Sequence, residues 1–414
     1  MQILTKLRPF LVFCQLFGVI PYSVETEEYP TKTKFKKFSF SLRQPVAWWF
    51  FFQCTFQVVV SCWDFKMIWN VLHEDDGVLR SHVSRIISFF VLQEHIFYVA
   101  LMVMSRYVII KYVCFRRTVY FLQKINSELR VDDMSPDGIP TVTRSAMLSI
   151  ISAIVGTIAL IASNTALFNL KVENEGLIPA VMVVVGRFFI SIMLISTFSI
   201  IYLCYKITAC YIQFIILDMK RPFRLSPTEN VPEEKQFAWI QVVDTNAILS
   251  WKNKLRHSKR MFGYLCEAIT NLNQVFSYPA LVFLTLRLVS SAFSLYIIIN
   301  GLMNNNNEFF QALIPACVAN SIVSFLSVFV VLKATESPNV QARHLRERIF
   351  TILNEETDLQ MDDELEALLF LKNISEERIR LSAAGLFHVG LNLIPSLTAS
   401  IITYFIILLQ TKFD

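Results

Sequence analysis

Charge is scarce in this sequence. Asp, Glu, Lys and Arg make up 17% of its 414 residues, where soluble domains carry about 25%. Glycine is scarcer still, at 10, and no internal repeat is visible. Transporter folds made of repeated halves, with helices broken by Gly and Pro at the midplane, are therefore disfavoured. Cys14, Cys54, Cys62, Cys114, Cys204, Cys210, Cys266 and Cys317 mostly sit inside apolar runs, with no CxxC and no metal-ligand spacing. They read as small apolar fillers. There is no HExxH, no P-loop and no nucleophile elbow. An enzyme is not expected, nor a metal or a cofactor. The net charge of +5 is modest and gives no footing for nucleic acid.

What the chain has is apolar surface. It is 54% hydrophobic with 36 Phe, and its mean hydropathy is +0.49. This composition is that of a polytopic, all-α membrane protein. Lys6 and Arg8 precede a short apolar run, Pro9 to Ile20. It is too short to span, and no clean cleavage site follows. A retained re-entrant or interfacial helix is expected rather than a removed signal peptide.

Seven long apolar segments follow: Pro45 to Leu72, Val83 to Val113, Ala146 to Leu170, Leu177 to Leu217, Phe276 to Met303, Phe309 to Leu332, and a last one ending near Phe413. The fourth is too long for one crossing and should project beyond the bilayer. The fifth has a helical lead-in from Phe237. Basic residues crowd the connection before span one (Lys32, Lys34, Lys36, Lys37, Arg43) and those after spans two, four and six. The turn after span one (Glu74, Asp75, Asp76) is acidic, and that after span three carries Glu173 and Glu175. Basic loops face the cytoplasm, so the N-terminus should be inside and the C-terminus outside. G-protein-coupled receptors have the opposite orientation, and no DRY-like or NPxxY-like sequence is present. The sequon Asn373-Ile374-Ser375 falls inside and should be unused. Gln341 to Leu353 and Asp362 to Leu371 read as amphipathic cytoplasmic helices, the second with Leu365, Leu368 and Leu369 on one side. They would pack on each other or on copies in an oligomer. Residues 1–335 thus hold the N-terminal segment and spans one to six with the ligand pocket. Residues 336–414 hold the cytoplasmic anchor helices and the seventh span.

The last span carries the most information. Leu391 to Leu409 has no charge. Ser396, Ser400, Thr403 and Gln410 follow at steps of four, three and seven, and Ile407 continues their face. A polar stripe on a spanning helix turns away from lipid. It meets either another helix, through small hydroxyls, or water, as a pore wall. Gln410 favours the pore, because a carboxamide gains nothing from a small-residue seam.

Thr403-Tyr404, five apolar residues and Gln410 resemble the C-terminal signature of the insect gustatory receptor family. Gly385-Leu386-Phe387 is similar to that family's Gly-Leu-Phe before the final helix. Asn273-Gln274-Val275-Phe276-Ser277 is similar in position and character to its entry into span five. Thr411 stands where the family often has Phe. The resemblance implies a seven-helix ligand-gated cation channel of the plasma membrane, assembled as a tetramer around the last helix. It implies that Ile407 forms a hydrophobic gate and that Gln410 rings the outer mouth beside Thr411. Thr403 would face the pore or hold its neighbour, while Tyr404 would pack against an adjacent helix. The partners implied are a small-molecule tastant, membrane lipid, and other copies in a homotetramer or a heterotetramer with other gustatory receptors. The related odorant receptor family shares the fold.

Ligand-binding candidates are the polar residues at pocket depth: Glu94 and His95 with Gln93 in span two, Asn164 in span three, Arg187 in span four, Arg287 and Tyr296 in span five, and Asn320 in span six. Intramembrane ionisable groups mark function by default. The competing reading is structural: Glu94 pairs with Arg187 or Arg287 to fix helix register, and His95 is a packing residue. Trp63, Asp64 and Trp69 rank lower, because interfacial Trp is routine anchoring.

Overall fold

The computed structural model describes residues 8–16, 22–29, 32–39, 43–73, 99–100, 103, 107, 111–128, 144, 147, 151, 177–220, 236–303, 308–355 and 361–410 of the chain. Three helices dominate. They are α4 (Leu177–Lys220), α5 (Gln236–Met303) and α6 (Glu308–Glu355). Before them come α1 (Arg8–Leu16), the hairpin strands β1 (Ser23–Tyr29) and β2 (Lys32–Ser39), α2 (Pro45–His73) and α3 (Tyr112–Glu128). After them come α7 (Met361–Asn373), the short strands β3 (Leu381–Ala383) and β4 (Phe387–Val389), and α8 (Leu393–Gln410). Spans one, four, five, six and seven are all helical; Val83 to Val113 and Ala146 to Leu170 lie largely outside the described residues. Among the described residues, stretches in α4, α5 and α6 are long and apolar enough to cross a membrane, and Pro45–Val60 and Leu393–Ile407 are shorter apolar helices.

The helical lead-in to span five is continuous with it. α5 is one helix of 68 residues with Pro279 inside it, about 100 Å long. α6 likewise runs through Pro338. The segment from Gln341 to Leu353, read from sequence as a separate amphipathic helix, is therefore the far half of α6. Pro338 cannot donate a backbone bond there, but neighbouring turns keep the axis. Thr335 and Asn339 on either side are buried.

One apolar core joins the C-terminal half of α4, the stretch of α5 from Leu255 to Leu286, the far half of α6 and the α3 helix. Ile201, Ile212, Leu265, Ile269, Phe276 and Leu345 are fully or almost fully buried in it. The N-terminal helix is docked onto this core through Phe10, Leu11 and Cys14. Gln15 Nε2 donates to the carbonyl of Tyr22 at 2.6 Å, and Trp49 Nε1 donates to that of Leu16 at 2.8 Å. The Tyr22 ring lies 4.9 Å from Tyr112 and 5.8 Å from Phe115. Along the α3–α5 seam, Lys124 Nζ stands 4.2 Å from the centre of the Tyr264 ring. A hydrogen bond to Tyr264 holds the Lys124 ammonium above its ordinary pKa.

Two hairpins are absent from the sequence reading. The antiparallel β1–β2 pair sets Glu25 opposite Lys37 and Glu27 opposite Lys34. The Lys-rich connection is thus half of a two-stranded sheet. The β3–β4 hairpin lies just before α8 and is described below. α7 also differs. Its buried positions are Ala367 and Phe370, whereas Leu365, Leu368 and Leu369 are exposed in the single chain. Ala367 is small enough to let α7 approach α5, so that Phe370 reaches Phe262 at 5.9 Å between ring centres. Arg256 and Glu366 close the same contact at 3.0 Å.

Candidate pore helix and its seat

Helix α8 starts abruptly. The N–H groups of Leu393 and Ile394 donate to the carbonyls of Gly390 and Leu391, a tight first turn. Pro395 sits within that turn, where its missing N–H costs nothing. The less exposed residues of the helix are Leu393, Ile394, Leu397, Ser400, Ile401, Phe405 and Leu409, of which Leu397, Ile401, Phe405 and Leu409 recur at steps of four. This is its seam against α5. At about 100° per residue, Ser396, Thr403, Ile407 and Gln410 lie roughly half a turn away from that seam. Ser396, Thr403, Ile407 and Gln410 are all exposed, Ile407 by 49%. Tyr404 is 46% exposed in the single chain. Thr411 lies outside the described residues.

The hydroxyls of this stripe have a definite polarity. Ser400 Oγ donates to the carbonyl of Ser396, and Thr403 Oγ1 to that of Ala399, both at 2.9 Å. A hydroxyl carries one proton and two lone pairs. With the proton given to the helix, what faces outward is acceptor oxygen, which suits a cation and not an anion.

The seat of α8 is a set of hydrogen bonds that spans three elements. Tyr205 Oη in α4 donates to Asn273 Oδ1 in α5 at 2.5 Å. Asn273 Nδ2 donates in turn to the carbonyl of Arg380 at 2.7 Å. One turn on, Ser277 Oγ accepts the N–H of Ala384 at 2.8 Å. Arg380 and Ala384 belong to the β3–β4 hairpin or its first flank. Its turn has Ala384 at φ 53° and Gly385 at φ 78°, closed by Leu386 N–H to the carbonyl of Ala383. Two successive left-handed residues make the type I′ geometry that suits a twisted two-stranded ribbon. Ser382 Oγ takes the N–H of Gly385 at 3.0 Å. Gly390 ends the hairpin against α6: a β-carbon there would stand 2.7 Å from Glu336 Oε2. The two motifs quoted from sequence, Asn273 to Ser277 and Gly385 to Phe387, are thus one contact. Tyr205, Glu336 and Gly390 complete it. Tyr205 gave no sequence signal, since it stands inside a long apolar run.

The ligand candidates divide. Gln93, Glu94, His95 and Asn164 lie outside the described residues, and Arg187 lies within α4. Arg287 and Asn320 lie on the α5–α6 seam, and Tyr296 is buried within α5. Arg287, 4% exposed, donates from Nη1 to Ser324 Oγ at 3.1 Å and lies over the Phe283 ring. Asn320 Nδ2 donates to Ser290 Oγ at 2.8 Å and Ser294 Oγ at 3.1 Å. Asn300 Nδ2 donates to the carbonyl of Tyr296, whose side chain is fully buried. Rungs at 287, 290 and 294 against 324 and 320 form an antiparallel polar ladder. Buried hydrogen-bonded groups of this kind fix register, and they can be rearranged by a polar guest.

Long apolar helices, a docked N-terminal helix and a terminal helix with a polar stripe are the frame of a multi-pass membrane protein. The 7tm chemosensory receptor family matches residues 7–414, and the chain belongs to that family. The insect olfactory receptor OR5 from Machilis hrabei has a similar structure, with a TM-score of 0.67 at 10% identity, over 98% of this chain and 97% of that one. The same receptor in complex with eugenol gives a TM-score of 0.60 at 11% identity, over 99% of each chain. No curated protein sequence matches the chain.

Proposed function

We propose that this chain is a gustatory receptor: a ligand-gated, non-selective cation channel that opens on binding a small-molecule tastant. Its N-terminus is cytoplasmic and its C-terminus extracellular. It works as a homotetramer, or as a heterotetramer with other gustatory receptors, around α8. The observation that carries the reading is the polar stripe of α8, exposed at Ser396, Thr403 and Gln410 and half-buried at Ser400, opposite its packing seam and with hydroxyl protons given to the helix. In a fourfold assembly Ile407 narrows the path and gates by dewetting. Four Gln410 carboxamides ring the outer mouth, with Thr411 beside them, and coordinate a partly hydrated cation without fixed charge. Thr403 lines the wall. Tyr404 packs on a neighbouring subunit. Residues 336–414 supply the anchor and pore, and the exposed Leu365, Leu368 and Leu369 add apolar area for other copies.

The tastant binds among residues 1–335. The α5–α6 ladder, with Arg287 and Tyr296, forms one wall; Glu94, His95, Asn164 and Arg187 supply the facing groups. A small organic guest is supported by the eugenol complex of the olfactory receptor. That fold similarity also favours a second reading, an odorant receptor subunit. The Thr403-Tyr404 to Gln410 sequence favours the gustatory one.

Expression of the chain alone in oocytes, with currents recorded under a tastant panel, tests the reading. Ligand-evoked cation current is expected. Ile407→Ala should leak without ligand, and Gln410→Ala should change relative permeability. Surface-expressed protein whose Ile407→Ala and Gln410→Ala forms behave like wild type would overturn the pore assignment. Current only with a second receptor and volatile ligands would favour the odorant reading. An unglycosylated Asn373 beside a glycosylated tag at the C-terminus checks the orientation.

A further inference from the structure

The inner end of the α4–α6 seam holds two lysines, Lys206 and Lys333, that form no ion pair among the described residues. Lys206 is half-buried, and its Nζ reaches Ser337 Oγ at 3.4 Å. Its charged neighbour is a like charge, Lys333, which is exposed. Among the described residues neither lysine forms an ion pair. Glu336, one turn beyond Lys333, has its carboxylate against Gly390 instead. A lysine that served only as an interfacial anchor would carry its ammonium out to water. Lys206 turns inward to a hydroxyl and faces a second cation. That arrangement is unfavourable when empty and favourable around an anion.

Depth says which anion. Lys206 lies 29 residues beyond Leu177 on one helix, about 44 Å along its axis, past a hydrocarbon core of roughly 30 Å. Lys333 directly follows the apolar run that ends at Leu332. Both therefore lie at headgroup level. Basic pockets between spanning helices on the cytoplasmic side take phosphorylated lipid headgroups.

We propose that Lys206, Lys333 and Ser337 form a binding site for the phosphate groups of an anionic inner-leaflet lipid, of the phosphoinositide class. The two ammonium groups take the phosphate oxygens and the Ser337 hydroxyl donates to a third. The inner-leaflet source rests on the orientation proposed above; the anion site itself does not. Tyr205, the neighbour of Lys206, holds Asn273 and through it the hairpin under α8. A headgroup clamped here would tie α4 to α6 beside the seat of the pore helix.

The test uses full-length receptor in detergent. Dioctanoyl phosphatidylinositol 4,5-bisphosphate is titrated against it, with soluble inositol trisphosphate and dioctanoyl phosphatidylcholine as the other arms. The bisphosphate lipid should bind. Lys206→Gln with Lys333→Gln should weaken it by about tenfold or more, while Lys206→Arg with Lys333→Arg should keep it. Arg116→Gln with Arg117→Gln, an exposed basic pair on α3, should leave it unchanged. Each variant must elute as the wild-type oligomer. Equal binding by the Gln variant, or by phosphatidylcholine, overturns the site. Soluble inositol trisphosphate binding as tightly as the lipid overturns the lipid source and leaves a free phosphate ligand. Modulation of current by the lipid from the extracellular face alone refutes the orientation and not the anion site.

Discussion

Asn273 is the most informative residue to perturb. It is held at both ends, accepting from Tyr205 and donating to the carbonyl of Arg380. Tyr205 is completely buried. Tyr205→Phe removes one hydroxyl and one bond, a net loss of about 1 kcal/mol. Asn273→Ala removes two bonds and strands a buried phenol, which adds a desolvation penalty of about 1–3 kcal/mol. Its total should reach about 3–5 kcal/mol. The double variant has no stranded phenol. It should therefore recover about 1–2 kcal/mol relative to Asn273→Ala alone, although it carries one more substitution. The measurement is the temperature of half-loss of the oligomer peak after heating in detergent. The order expected is wild type, Tyr205→Phe, the double variant, then Asn273→Ala. If the double variant falls below Asn273→Ala by the full effect of Tyr205→Phe, the two side chains are not coupled and the relay is refuted.

Gly385→Ala should cost about 1–2 kcal/mol, because a β-carbon at φ 78° is strained whatever the space; Gly385→Asn should be milder, as read by surface expression. Gly390→Ala should lower the yield of assembled receptor, and Glu336→Ser should restore it, since the β-carbon meets that carboxylate. Phe370→Ala should cost about 3–5 kcal/mol and free α7 from Phe262, seen as faster proteolysis between α6 and α7. Arg256→Ala, at an exposed ion pair, should change thermal stability by no more than about 1 kcal/mol.

Spans one, four, five, six and seven were legible because each is a long run of one chemical kind. Leu177 and Met303 mark helix ends in sequence and structure alike. The hairpins were not. β1 and β2 carry charge at successive positions, so no apolar alternation announces a strand. β3 and β4 have three residues each, and only Gly385 hints at the turn between them. The continuity of α6 was not legible either: Gln341 to Leu353 read as a helix of its own, and it is part of α6. The stripe of α8 could be counted off at helical steps. Its seat could not, because Asn273 and Arg380 are 107 residues apart and are joined only by the fold.

The length of α5 has a mechanical consequence. Asn273 and Ser277 stand near the midpoint of a 68-residue rod, with the polar ladder to Ser324 on one arm and the α7 contact on the other. A lever pivoted at its centre reproduces at one end whatever displacement is applied at the other, with neither gain nor loss. Pro279 removes a backbone bond two residues from that pivot. The rod thus lacks a backbone bond beside its fulcrum, and the hairpin that seats α8 is fastened at the same place. A tilt of the arm that ends at Met303 is therefore spent at the joint that holds α8 before it can reach the end at Gln236.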